Sequence, residues 1–189
     1  MSSRSGWSGE LGFEIFLRDG RRGEDLWERI LEAGRPHGIA VTGPSDIRRV
    51  EAGILGYGCD ISLDTNPYEA GLDWMLEPEK AADFIGKAAL RRIKQKGVAR
   101  RLVGIELACD PLPSGSFEDR WPAFDGGPTA GGEIGEVTVA LYSPRLEKNI
   151  GYAMVRTGFT DSGATFNVET PFGCAPARVV EKPFIGKAG

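Results

Sequence analysis

Apolar residues along this chain change their spacing once, and the change divides it in two. The first part opens with alternation. Leu11, Phe13, Ile15 and Leu17 share one face, and Gly12, Glu14 and Phe16 the other, which predicts a strand. A lead-in with Gly6, Gly9 and Gly12 at every third position, and small hydroxyls at Ser5 and Ser8, runs into it. Helical spacing follows. Leu26, Trp27, Ile30 and Leu31 predict a helix over 24–33, stopped by Gly34 and Pro36, with Trp27 in the core. A second helix is predicted from Ser45, a good N-cap, to about residue 55, with Ile47, Val50 and Ile54 on one face. At 100° per residue Glu51 falls beside that face and Arg49 almost opposite it. Arg49 therefore points to solvent, to a second layer or to a ligand acid group. Glu51 needs a partner, and Arg48 on the flank is one candidate. Gly53, Gly56 and Gly58 then predict an irregular loop, 72–76 a short strand, and 87–95 a helix ending at Gly97.

After residues 97–100 the spacing becomes alternating. Strands are predicted over 102–107, 134–141, 150–156, 165–170 and 175–181, with a long Gly/Pro/Ser-rich loop or hairpin excursion over 111–132. Short strands at near-regular spacing are the mark of a small barrel or sandwich. The fold class expected is α+β: a partial α/β domain over 1–97, then a small all-β barrel domain over 98–189.

Composition narrows the function classes. The 23 basic and 27 acidic residues leave a net charge of −4 and a pI near 5.2. No basic balance exists to release counterions, so general nucleic-acid binding is not expected. The cluster Arg91, Arg92, Lys94, Lys96, Arg100 and Arg101 surrounds a predicted helix end, where cations are favoured. Cys59, Cys109 and Cys174 form no CxxC pair, so neither zinc nor a disulfide framework is expected, and reduced thiols fit a cytoplasmic location. Cys59 reads as a buried thiol. The one histidine, His37, sits in a predicted turn, which leaves little scope for a Ser/His/Asp triad or a histidine metal cluster. No apolar run approaches ~20 residues and no signal-peptide pattern opens the chain, so no membrane partner is expected. The chain opens on its most distinctive motif, which suggests a portion of a longer protein. Within that motif Glu14 stands between a gap at Gly12 and the ring of Phe16. One reading is an edge strand with a solvated carboxylate. The other is a strand facing a flat heterocycle that hydrogen-bonds along its edge.

Three stretches carry a resemblance. They are Ser5-Gly6-Trp7-Ser8-Gly9-Glu10-Leu11-Gly12-Phe13-Glu14-Ile15; Ile47-Arg48-Arg49-Val50-Glu51-Ala52-Gly53-Ile54-Leu55-Gly56-Tyr57-Gly58-Cys59-Asp60; and Tyr142-Ser143-Pro144-Arg145-Leu146-Glu147-Lys148-Asn149-Ile150-Gly151-Tyr152-Ala153. In order and spacing they resemble the C-terminal half of the glycine cleavage T-protein (aminomethyltransferase) family. Trp7 and the run from Ser143 to Ile150 look closest to its tetrahydrofolate-dependent demethylase branch, which includes dimethylsulfoniopropionate demethylase. The resemblance implies a tetrahydrofolate site, with Glu14 as the strand carboxylate on the pterin, Glu10 second to it, Trp7 or Phe16 packed on the ring, and Arg49 binding folate or bracing the site. It implies one-carbon transfer, aminomethyl or methyl, from a small-molecule donor. The family's catalytic Asp lies in its N-terminal half and has no counterpart here, so no catalytic residue is assigned and these residues alone are expected to be inactive. That half could be supplied in trans, or its absence could favour self-association. The alternatives are a non-catalytic folate-binding or regulatory fragment, and an accessory folate domain of a dimethylglycine or sarcosine oxidase.

Overall fold

The computed structural model describes residues 1–113, 119–126 and 131–186. Parts of the predicted 111–132 excursion, 114–118 and 127–130, lie outside the described residues.

The alternating second part forms a closed, wholly antiparallel barrel of six strands. Counting the two short N-terminal strands as β1 and β2, its strands are β3 (Arg100–Leu107), β4 (Trp121–Phe124), β5 (Glu133–Ser143), β6 (Lys148–Arg156), β7 (Thr165–Thr170) and β8 (Gly173–Val180). They close in the order β3-β6-β5-β4-β7-β8, and β3 pairs with β8, so no edge is left open. β4 rises inside the predicted excursion, carrying Trp121 and Ala123 inward. The interior holds Val103, Ile105, Ala123, Ala153, Val155 and Val168. A second buried cluster lies on the outside of the wall. Leu102, Leu141, Ile150, Tyr152 and Met154 pack there against Val50. β6 is therefore buried on both faces, and seven consecutive residues, Asn149 to Val155, are buried.

What covers that outer face is the first part of the chain. Its helices are α1 (Gly23–Gly34), α2 (Asp46–Glu51) and α3 (Lys87–Lys96). Ser45 caps α2 by accepting a hydrogen bond from the Arg48 N–H at 3.4 Å. The helix is shorter than its apolar spacing predicts. It stops at Glu51 because Gly53 turns left-handed, with φ +76°, and a Cβ there would stand 3.3 Å from Pro183 of the C-terminal segment. Residues 73–75 form a 3₁₀ turn rather than the predicted strand.

The opening stretch departs most from its pattern. β2 is only Glu14–Ile15 and pairs with β1, Ser2–Ser3. Alternation fixes a strand only when a neighbour and a buried face support it, and here Leu11, Phe13, Ile15, Phe16 and Leu17 all remain exposed. Trp27, expected in a core, is exposed for the same reason: α1 keeps its amphipathic face but buries no residue completely. Half of the basic cluster is paired in place. Arg91 pairs with Glu79, Arg100 with Glu69 and Arg101 with Asp73.

Candidate functional site

The first turn and a half of α2 sets the site. Arg49 does point away from the helix's own apolar face, and what it meets is a second layer. Its side chain is buried. Nε donates to Asp46 Oδ1 at 2.6 Å, and one terminal nitrogen donates to Asp60 Oδ2 at 2.6 Å and to the Ile54 carbonyl at 3.3 Å. The other approaches Cys59 Sγ at 3.7 Å. Cys59 itself is exposed, contrary to the buried thiol expected. Burial works against the guanidinium charge, but the bond to Asp46 and the field of Asp60 outweigh it and hold the Arg49 pKa above its ordinary value.

Asp60 is the hub. It is 2% exposed and accepts three hydrogen bonds: Arg49, the Gly56 N–H at 2.7 Å and the Thr138 hydroxyl at 2.8 Å. Buried carboxylates persist when their lone pairs are filled in this way. Thr138 reaches it because β5 carries a bulge: Val137 pairs with Ala153 and Val139 with Tyr152, which leaves Thr138 unpaired and re-aimed out of the wall. Two further bonds fasten α2 to the barrel. Glu51 finds its partner in Ser143, not Arg48, and Tyr152 donates its hydroxyl to the Val50 carbonyl at 2.9 Å. Burial pushes the Tyr152 phenol well above its usual range, with the Asp60 charge adding to it, so the hydroxyl stays a donor. The C-terminal segment closes the end of the helix, with the Phe184 and Ile185 N–H groups donating to the Glu51 carbonyl at 3.0 and 3.2 Å.

The opening stretch docks on this assembly. Gly9 is left-handed, with φ +72°, and a Cβ there would lie 2.6 Å from the Ala52 Cβ, so any side chain would lift the loop off α2. Trp7 lies over Arg49, with 5.9 Å from guanidinium carbon to ring centre, while the residue stays about half exposed. Arg49 therefore braces an aromatic surface that is open on its other side. Glu14 is exposed, and Ser5 is the only hydrogen-bond partner of its carboxylate among the described residues. Phe16 is exposed and joined to Met1 through the backbone. Glu10 lies 3.8 Å from Arg145, too far for a tight ion pair.

Glu10 also lines a cavity of about 630 Å³ between the end of α2, residues 71–74 and the C-terminal segment. Gly53, Ile54, Trp74, Arg145 and Lys182 share its walls; Glu14 and Phe16 do not. The structure thus joins Trp7 to Arg49 and Glu10 to the cavity, and leaves Glu14 and Phe16 on an open surface nearby in sequence. Sequence reasoning missed Asp60, Thr138 and Lys182. Asp60 stood inside a quoted motif with no role. Nothing in the sequence marks the bulge that turns Thr138 outward.

A braced ring and exposed carboxylates on one stretch suit a flat, hydrogen-bonding heterocycle. A carboxylate can accept a pair of bonds from an aminopyrimidine edge while an aromatic ring packs on its plane. The architecture is a closed six-stranded barrel clamped by a helix, with the opening stretch laid across the clamp. Two family models match the chain: the GCVT N-terminal domain over residues 1–80, and the glycine cleavage T-protein C-terminal barrel domain over residues 100–185. The chain belongs to the glycine cleavage T-protein family. It is 41% identical to an aminomethyltransferase of Geobacillus sp. (strain WCH70) over 191 aligned residues, covering 98% of this chain and 49% of that protein. It is 43% identical to one of Symbiobacterium thermophilum, covering 96% and 47%. A crystal structure of glycine cleavage system aminomethyltransferase T from Bartonella henselae superimposes with a TM-score of 0.79 at 30% identity, covering 97% of this chain and 49% of that one. The chain spans about half the length of the curated relatives it matches.

Proposed function

We propose that this chain binds a reduced folate, tetrahydrofolate, on its opening stretch, as the C-terminal portion of a folate-dependent one-carbon transferase. The observation that carries the reading is the Trp7 ring braced by buried Arg49 and open on its outer side, in a chain whose relatives are aminomethyltransferases. In this reading Trp7 and Phe16 pack on the pterin and Glu14 accepts hydrogen bonds from its amino edge. Glu10 contributes less, and Arg49 braces the site. When bound, the folate takes up the one-carbon unit. This chain's own residues hold and orient it and exclude water from one of its faces. The remaining length of the relatives supplies the acid–base group, and it packs on the exposed apolar residues between Trp7 and Val41. The location proposed is cytoplasmic. Among the described residues no helix is long and apolar enough to cross a membrane.

Titration calorimetry tests the site. Glu14→Ala is expected to weaken tetrahydrofolate binding more than tenfold and Glu10→Ala less. Unchanged affinity in Glu14→Ala returns that carboxylate to a solvated edge. Without the remaining portion of its relatives the chain is expected to show little or no transfer, and robust turnover would contradict the division of labour. A finer reading takes the donor to be a methylated amine or sulfonium rather than an aminomethyl carrier. It is supported by Trp7 and the run from Ser143 to Ile150. Comparing donors with the remaining portion present separates the two.

A further inference from the structure

Lys182 lies in the C-terminal segment, outside every motif that carries the folate reading. Its Nζ lies over the Tyr152 ring, 5.5 Å from the ring centre. Its only hydrogen bond among the described residues is a long one, to the Ala70 carbonyl at 3.3 Å. No carboxylate forms an ion pair with it there, although it is more than half withdrawn from water. Its remaining donors have the 630 Å³ cavity to face, which it lines together with Arg145, Glu10 and the ring of Trp74. Arg145 is only loosely balanced by Glu10, at 3.8 Å. Two cations against one carboxylate, beside apolar walls from Ile54, Leu72 and Ile185, form a half-desolvated receptor for an anion with an apolar body.

We propose that Lys182, assisted by Arg145, anchors the carboxylate of an organic acid in this cavity. The proposal rests on the folate reading for where such an acid comes from, and two sources share the chemistry: the glutamyl carboxylate of the folate itself, or a small carboxylate one-carbon donor. The environment of Lys182 gives the anchor a pH dependence. Burial and the nearby Arg101 charge lower its pKa to about 8, with Asp60 and Asp73 pulling the other way. Glu10 and Arg145 face it across the cavity and the Tyr152 phenol lies beneath it. A ligand carboxylate prefers the ammonium form, so affinity should fall as pH rises past about 8.

Calorimetry on the full chain tests this with three probes: tetrahydrofolate, 6-methyltetrahydropterin, which lacks the benzoylglutamate arm, and dimethylglycine. Lys182→Met is expected to weaken at least one carboxylate probe tenfold or more, with Lys182→Arg recovering most of the loss and 6-methyltetrahydropterin unaffected. Loss confined to tetrahydrofolate assigns the anchor to the folate arm; loss confined to dimethylglycine assigns it to a donor. Should Lys182→Met fold poorly, the wild-type chain titrated between pH 7 and pH 9.5 decides instead, with carboxylate affinity falling and pterin affinity flat. Equal affinities in wild type and Lys182→Met, a flat pH profile, or no carboxylate binding by the wild type would overturn the proposal. Failure of the folate reading looks different: neither tetrahydrofolate nor 6-methyltetrahydropterin binds, whatever dimethylglycine does.

Discussion

The barrel and the opening stretch are built from the same kinds of residue and end in opposite states. Ile105, Ala123, Val155 and Val168 are sealed inside a ring in which every strand has two neighbours. Leu11 and Phe13, in an equally regular alternation, are 72% and 66% exposed beside a ladder two residues long. Apolar alternation is a statement about possible pairing; closure decides whether it is used. The barrel supplies its own second face. The opening stretch rests chiefly on α2, through Gly9, Ala52, Arg49 and Trp7, with Glu10 reaching toward Arg145. It is organised where it meets α2 and uncovered elsewhere.

Substitutions should separate three zones: the joint, the barrel and the uncovered wall. The largest effect is expected at the joint. Asp60→Ala leaves buried Arg49 with Asp46 as its one carboxylate partner among the described residues and should cost about 3–5 kcal/mol in urea unfolding. A loss below about 1 kcal/mol would mean that the clamp is not a buried ion pair in solution. Inside the barrel, Ile105→Ala should cost about 2–5 kcal/mol by cavity formation. Lys182 gives a signed pH effect. Its pKa is lowered in the folded chain, so the native state binds fewer protons than the unfolded one between about pH 8 and the ordinary lysine value. The stability this provides is complete above the ordinary value and is lost as pH falls through about 8. Between those limits wild type should gain on the order of 2 kcal/mol relative to Lys182→Met, read from urea midpoints. Thr138→Val removes one of three bonds to Asp60 and should cost about 1 kcal/mol. The smallest effect belongs to the wall. Leu11→Ala should change the stability of this chain by less than about 0.5 kcal/mol, and a larger loss would show that the stretch is already covered.

Much of the barrel was legible because a two-residue period with turn residues between is a local signal, and β3, β6 and β7 fall close to their predicted limits. β4 was hidden among glycines and prolines. In the first part, the N-cap at Ser45 and the outward aim of Arg49 followed from the wheel. The hub that receives it did not: Asp60 is held from its other side by Thr138, 78 residues further on, and the two meet only through a bulge. Glu51 needed a partner and found Ser143, 92 residues on, rather than its neighbour Arg48. Trp27 and the run from Leu11 to Leu17 looked like core because amphipathicity marks a face that suits burial, not one that achieves it. Lys182 carried no sequence signal: a lysine before a proline becomes notable only once Tyr152 and the cavity are known.

Hydrogen exchange on the whole chain, with and without saturating tetrahydrofolate, tests the central claim most directly. If the opening stretch laid on α2 is the folate wall, the ligand should slow exchange in residues 5–16 and 46–60 while the barrel interior stays as it was. Exchange unchanged in those two segments, or slowed only among the strands of the barrel, would contradict it.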